Sequence, residues 1–386
     1  MKKICIVTGT RAEYGLLKPV IEKVNTSGAM ELQLVVTGMH LSSEFGLTYR
    51  EIEEDGYPIT AKIEMLLSSD TAVGVTKSMG VALMGFADYF EGNRPDIVIL
   101  LGDRYEIMMA AAAAMMARIP IAHIHGGETT QGAVDEAIRH SITKMSHLHF
   151  TTTHEYRNRV IQLGEQPSKV YNVGALGVEN ARTIVLMDKK TLEESLSLTF
   201  QAPTILVTYH PVTLEDMTAE RQFENILTVI ERHKEWQIIF TKANSDPNGR
   251  IINQMIDDFT EKNSDRCTAF TSLGQVRYLS TLQFCNVVMG NSSSGIIEVP
   301  SFGVPTIDIG ERQKGRISAE SVIHCGNETA DIEEALRIAM SSDFRNRIRE
   351  QKNPYEGSHT SEQIVKIIEE ALNEGIDIKK EFYDGE

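Results

Sequence analysis

Along the chain, short apolar runs rich in Val and Ile alternate with longer stretches in which apolar residues recur every three or four positions. Runs that are apolar at consecutive positions suit strands buried on both faces of a parallel sheet, whereas the longer spacing suits helices with one buried stripe. The pattern predicts strands at Lys3–Gly9, Leu32–Thr37, Asp96–Gly102, Pro120–Ile124, Leu148–Thr152 and Lys169–Val173. A second series follows at Thr204–Tyr209, Gln237–Thr241, Ala269–Thr271, Asn286–Met289 and Pro305–Ile309. Helices are expected between them at Gly15–Asn25, Val73–Phe90, Arg104–Arg118, Val134–Ser146, His154–Leu163 and Glu220–His233, with a last periodic segment at Ser361–Asn373. Strand–helix alternation of this kind reads as an α/β fold with doubly wound sheets. It pauses once, between Gly174 and Pro203, which places a domain crossover near residue 175. Two such domains facing each other across a cleft would put strand C-termini on both walls, where ligands of open α/β sheets bind.

Composition narrows the function classes. The length of 386 residues suits two or three domains, and 41% hydrophobic with 24% charged residues is ordinary for a globular chain. The longest apolar run, Ile107 to Ala117, has the length of a buried helix rather than of a membrane span. Polar Thr8 to Glu13 follow the first apolar run too soon for a signal peptide. Four cysteines (Cys5, Cys267, Cys285, Cys325) without CxxC spacing suit a reducing cytoplasm. A net charge of −16 argues against nucleic acid or an anionic membrane as partner, while leaving room for a small anionic ligand where positive groups gather.

Such gathering is visible at strand ends. Gly9-Thr10-Arg11-Ala12-Glu13-Tyr14-Gly15 follows the first strand and opens a helix, so Arg11 adds a full charge to free N–H groups, a combination that suits a phosphate. An ordinary turn with a solvated Arg is the other reading, and the string is not the GxGxxG dinucleotide fingerprint. Leu101-Gly102-Asp103-Arg104-Tyr105-Glu106 occupies the same place after the third predicted strand, where Asp103 either caps a helix or acts on a substrate. The densest region runs from His123-Ile124-His125-Gly126-Gly127-Glu128 to Asp135-Glu136-Ala137-Ile138-Arg139-His140, and six of the 11 histidines lie between His123 and His154. On a strand His123 and His125 would share one face. A zinc site lacks HExxH and a clear third ligand, so no metal is assigned. A polar pocket suits the residues better, with Glu128 and Asp135 as a carboxylate pair able to divide acid and base roles; surface acids on a capped helix are the alternative.

In the second half, His210 stands at the end of the strand Thr204–Tyr209 and is followed by Pro211, open to a structural or a ligand-binding role. Gly290-Asn291-Ser292-Ser293-Ser294-Gly295-Ile296-Ile297-Glu298 is the strongest motif. Three hydroxyls and free N–H groups at a helix start form a neutral cradle for a pyrophosphate, and Glu298, about one turn further, suits a ribose hydroxyl pair. The serine-hydrolase elbow fails because Ser294 stands where its second Gly belongs, and the Walker A lysine is missing. Gly310-Glu311-Arg312-Gln313-Lys314-Gly315-Arg316 adds positive charge after another strand; a helix cap beside an exposed basic loop is the plainer reading of the two together.

Taken in order, Val7 to Gly15, Leu101 to Glu106, His123 to Glu128, Ile138 to Ser146, Gly290 to Gly295 with Glu298-Val299-Pro300, and Arg312 to Arg316 resemble the hydrolysing UDP-N-acetylglucosamine 2-epimerases of bacterial sialic-acid synthesis. The resemblance spans nearly the whole chain. It implies two Rossmann-like domains of GT-B-like type: 1–175, carrying the catalytic carboxylates, and 176–364, holding UDP, with a C-terminal helix at about 365–386 packing back on the first. It assigns Arg11, Arg104, His210, Ser292, Ser293, Ser294, Glu298 and Arg312 to the nucleotide, and Asp103, Glu128, Asp135 and His210 to catalysis. The implied reaction removes the sugar C2 proton, expels UDP to give a 2-acetamidoglucal, and adds water with inverted C2 configuration to release N-acetylmannosamine. No redox cofactor is implied, and a cytoplasmic homodimer or homotetramer is expected. Non-hydrolysing relatives carry Glu where His125 stands and follow the second-domain histidine with Arg-Arg-Glu-Asn, where this chain has Pro211-Val212-Thr213-Leu214; both differences favour the hydrolysing branch. Asp135 is the first choice for the C2 base and Glu128 the second. The alternatives are the same chemistry on UDP-2,4-diacetamido-2,4,6-trideoxyglucose and a B-type glycosyltransferase.

Overall fold

Residues 4 to 7 show why the first strand is central: Ile4 and Ile6 face one apolar cluster while Cys5 and Val7 face another, and all four are fully buried. In the computed structural model, which describes every residue except 68, 70, 132, 202, 213–217, 244–248 and 386, the chain forms two units. The first comprises Met1–Glu128, Val134–Asn180 and Tyr355–Glu386; the second comprises Ala181–Pro354 with the short piece Thr129–Ala133.

The first unit runs β1 (Lys2–Thr8), α1 (Arg11–Thr26), β2 (Met30–Thr37), α2 (Tyr49–Glu54), β3 (Ile59–Ile63), α3 (Ala72–Asn93), β4 (Ile97–Leu101), α4 (Tyr105–Met116), β5 (Ile121–Ile124), α5 (Asp135–Met145), β6 (Leu148–Thr151), α6 (His154–Gln162) and β7 (Val170–Asn172). The chain leaves it within α7 (Leu176–Thr183). Its seven strands are parallel in the order β3-β2-β1-β4-β5-β6-β7, with Ile4 paired to Leu32 on one side and to Ile97 on the other.

The second unit runs α8 (Lys189–Leu196), β8 (Thr204–Thr208), α9 (Ala219–Arg232), β9 (Gln237–Thr241), α10 (Gly249–Lys262), β10 (Cys267–Phe270), α11 (Gln275–Leu282), β11 (Val287–Gly290), α12 (Ser293–Ile297), β12 (Thr306–Ile309), β13 (Val322–Cys325), α13 (Thr329–Met340) and α14 (Ser342–Ile348). Its parallel order β10-β9-β8-β11-β12-β13 repeats the topology of the first unit. In both sheets the order reverses beside the first strand, between β1 and β4 and between β8 and β11. Those are the switch points where loops diverge and leave room for a ligand.

The final helix, α15 (Thr360–Glu374), belongs to the first unit, where Ile364, Val365 and Ile368 join the cluster that α1 covers. Its entry is fixed by the Thr360 hydroxyl donating to the Val173 carbonyl (2.7 Å) and by Ser361 N donating to Glu179 (2.9 Å).

Two strands were not expected from the pattern. Both β3 and β13 are edge strands with half-exposed positions, so they carry no continuous apolar run. Two unexpected helices, α10 and α13, do carry the signal, in Ile252 with Ile256 and in Ile332 with Ala335, Leu336 and Ala339. Among the described residues, no helix is long and apolar enough to cross a membrane.

Candidate active site

In the first unit the loops after β1 and β4 flank the switch point. Thr10 caps α1, its hydroxyl accepting from Glu13 N (3.2 Å), while Glu13 Oε2 accepts from Gly9 N (2.7 Å) and Thr10 N (3.2 Å). Arg11 is then the first helical residue, and its guanidinium pairs with Glu51 of α2 rather than standing in solvent. On the β4 side Arg104, not Asp103, is the cap residue of α4, and its Nε donates to Glu106 Oε1 (2.6 Å). Glu106 is 1% exposed and lies against Gly9, where an added Cβ would come within 2.6 Å of its carboxylate.

Two acids are therefore buried together. Burial, and then the Glu106 charge, push Glu13 up to about 8, against the pull of Arg104 and the two amides. A carboxyl raised in the folded state adds stability that is fully present below its unfolded value near 4.5 and is lost as pH rises through about 8. Urea unfolding should accordingly show the protein weakening between about pH 4.5 and 8, by on the order of a few kcal/mol. Glu106→Gln should flatten that decline, because Glu13 can then ionise without a second anion beside it. A wild-type pH dependence unchanged by Glu106→Gln would refute the coupling.

The loop after β5 carries the next candidates. His123, on the strand, is fully buried and is pushed down to about 3 by desolvation, so it is neutral. Its Nε2–H donates to the Gly102 carbonyl (2.8 Å), leaving Nδ1 to accept from the Thr143 hydroxyl (3.2 Å). The expectation that His123 and His125 share a strand face is corrected. The strand ends at Ile124, and His125 turns into the left-handed region at φ 68°, with its Nδ1 3.6 Å from Glu128 Oε1. Glu128 is 2% exposed and accepts from the Thr152 hydroxyl (3.1 Å), so it is not a surface acid. Asp135 is the half-buried first residue of α5, whose cap residue is Val134.

One residue outside the candidate set proves central. Arg139, 1% exposed, pairs through Nη2 with Asp103 and donates through Nη1 to the Glu128 carbonyl (2.9 Å) and to Glu136 Oε2 (3.0 Å). Asp103 thus serves a buried guanidinium and does not cap α4. The available signal was the spacing of Asp135, Arg139 and Thr143, which puts all three on one helical face.

The second unit builds its cluster at the β8/β11 switch point. Asn291, 1% exposed, donates from Nδ2 to the His210 carbonyl (2.8 Å), and His210 N donates to Asn291 Oδ1 (2.7 Å). The Asn291 carbonyl accepts from Arg312 Nη1 (3.1 Å) and Gln313 Nε2 (2.8 Å). One asparagine therefore brings the expected His210 and Arg312 to the serine turn. Ser292 caps α12, and Ser293 and Ser294 are its first two residues. That helix is shorter than expected: Glu298, 9% exposed, is its C-terminal cap, not a residue one turn inside it. Of the run after His210, Thr213 and Leu214 lie outside the described residues.

Two parallel sheets clothed in helices, each with polar residues at its switch point, define a two-domain α/β protein of GT-B-like type. The chain belongs to the UDP-N-acetylglucosamine 2-epimerase family, whose model matches residues 22–369. It is 40% identical over 383 residues, 99% of each chain, to a GDP/UDP-N,N'-diacetylbacillosamine 2-epimerase (hydrolyzing) of Campylobacter jejuni. It is 39% identical over 385 residues, 100% of this chain and 98% of the other, to the polysialic acid biosynthesis protein P7 of Escherichia coli. Among solved structures, the MnaA–UDP structure from S. aureus matches with TM-score 0.79 over 100% of both chains at 20% identity, a likeness of fold. The resemblance to hydrolysing 2-epimerases read from the motifs thus holds at the level of family.

Proposed function

We propose that the protein is a hydrolysing UDP-N-acetylglucosamine 2-epimerase that releases N-acetylmannosamine and UDP. The observation that carries this reading is the treatment of the carboxylates in the first unit: Glu128 is buried, and Asp103 is spent on a buried guanidinium instead of a helix cap. Folding alone rarely favours burying such charges, whereas a reaction that moves a proton from carbon needs fixed acids and bases. In this reading Asp135 abstracts the C2 proton, Glu128 is the next carboxylate in line, and Asp103 completes the set. UDP, the leaving group, is assigned to His210, Ser292, Ser293, Ser294, Glu298 and Arg312, where positive charge and N–H groups meet the developing diphosphate. Arg11 and Arg104 carry the same assignment from the resemblance.

A second reading keeps the chemistry and changes the sugar to UDP-2,4-diacetamido-2,4,6-trideoxyglucose. It is favoured by the name of the Campylobacter jejuni relative, which specifies N,N'-diacetylbacillosamine. Proton NMR in D2O with each UDP-sugar in turn is the test. Free N-acetylmannosamine deuterated at C2, with UDP, is the expected result. UDP-N-acetylmannosamine would mean no hydrolysis, turnover of the diacetamido sugar alone would select the second reading, and product only with an added acceptor would mean a glycosyltransferase.

A further inference from the structure

The helix α5 presents Asp135, Arg139 and Thr143 four residues apart on one face, and that face does more than carry a base. Arg139 and Thr143 each tie it to the strand ends beside it. Arg139 reaches Asp103 in the loop after β4 and the Glu128 carbonyl in the loop after β5. Thr143 holds His123, which in turn holds the carbonyl of Gly102, the neighbour of Asp103. Both loops are therefore registered against one helix by buried polar contacts. A guanidinium buried to 1% exposure is costly to desolvate, and a buried ion pair taken as a whole rarely adds more stability than apolar side chains of similar volume would. Its planar fork, by contrast, can meet several acceptors in fixed directions, which an ammonium cannot.

We propose that Arg139 is a positioning residue of the reaction, holding the Asp103 carboxylate as an oriented anion and setting the Glu128 loop against α5. This rests on the reading of Asp103 and Glu128 as catalytic carboxylates. Among the described residues, the charges around the bracket are these. Glu136 on α5 takes the second bond of Nη1 and is also 3.3 Å from His140. Arg104 and Glu106 are engaged with each other at the start of α4. His123 is neutral and His125 faces Glu128. Arg139 is a cation bonded directly to Asp103, and its removal should make that carboxylate easier to protonate.

The test compares wild type, Arg139→Lys and Arg139→Met with whichever UDP-sugar the wild type turns over. Arg139→Lys should lower kcat about 100-fold with KM within about threefold, because chemistry depends on sub-ångström placement while UDP is held elsewhere. The acid limb of the kcat/KM profile should move up by about one pH unit. In an Asp103→Asn background the same change should add little further loss. Arg139→Met keeps most of the volume without a buried cation, and Asp103, whose side chain is 23% exposed, can hydrate or take up a proton. It therefore serves if the lysine variant fails to fold, and its kcat loss should be at least as large. A folded variant with wild-type kcat and an unmoved acid limb overturns the proposal, as does full additivity with Asp103→Asn. If the wild type inverts C2 of neither sugar, the functional reading itself fails and takes this inference with it.

Discussion

Asp135→Asn should lower turnover by about 100- to 10,000-fold while leaving the affinity for UDP near that of the wild type. The proton on C2 of the sugar is weakly acidic, so its removal needs a base held in place, and an amide of the same size and shape has no basicity to offer. The neighbouring acid does not supply a substitute: Glu136 is bonded to Arg139 and stands 3.3 Å from His140. The fold should tolerate the change, since an amide keeps the size and shape of the side chain at this half-buried first residue of α5. UDP affinity should persist because the residues assigned to it from His210 to Arg312 belong to the second unit, and the two assigned in the first, Arg11 and Arg104, pair with Glu51 and Glu106. Two measurements separate the effects: UDP release under saturating sugar nucleotide for turnover, and calorimetric titration with UDP for binding. Wild-type turnover would remove Asp135 from the mechanism. Glu128→Gln would then be the variant expected to lose activity, since that carboxylate is buried within the same region.

What the sequence made legible follows the range of the interactions involved. The central strands announce themselves because both faces are buried, as with Ile4 to Val7, and the serine turn does so because its chemistry is packed into consecutive residues. Edge strands β3 and β13 are obscured by half-exposed positions. The roles that escaped depend on partners far away in the chain. Arg139 reads as one charge in an amphipathic helix until Asp103, 36 residues earlier, closes on it. Asn291 is an ordinary turn residue until its amide meets His210, 81 residues before it. Glu13 looks like one half of a capping box, which it is, but its raised proton affinity comes from burial and from Glu106 on another helix. Local spacing sees the first of these properties and not the second.

Gly290→Ala should be the most destabilising single methyl that the second unit can receive, costing more than about 4 kcal/mol. Gly290 ends β11 at φ 140°, a conformation that side-chain-bearing residues rarely adopt. It pairs with Thr208 of β8, and a Cβ there would lie 1.8 Å from the Thr208 carbonyl oxygen and 2.7 Å from its carbon. These are backbone atoms of a neighbouring central strand, so no side chain can swing aside. Relief would require β8 and β11 to separate, breaking the bond from Asn291 N to the Thr208 carbonyl (3.1 Å) and moving Asn291 off His210. The same methyl would thus disturb both stability and the placement of His210 and Arg312 around the serine turn. Gly303 supplies the control. It is also left-handed, at φ 63°, but nothing lies within 4 Å of its Cβ direction, so Gly303→Ala should cost only about 1–2 kcal/mol. Urea unfolding of the two variants and calorimetric titration with UDP check the pair. The expected pattern is a large loss of stability and of UDP affinity for Gly290→Ala and a small loss of stability alone for Gly303→Ala. Equal effects would show that backbone conformation, rather than the close approach of β8 to β11, makes glycine necessary at position 290.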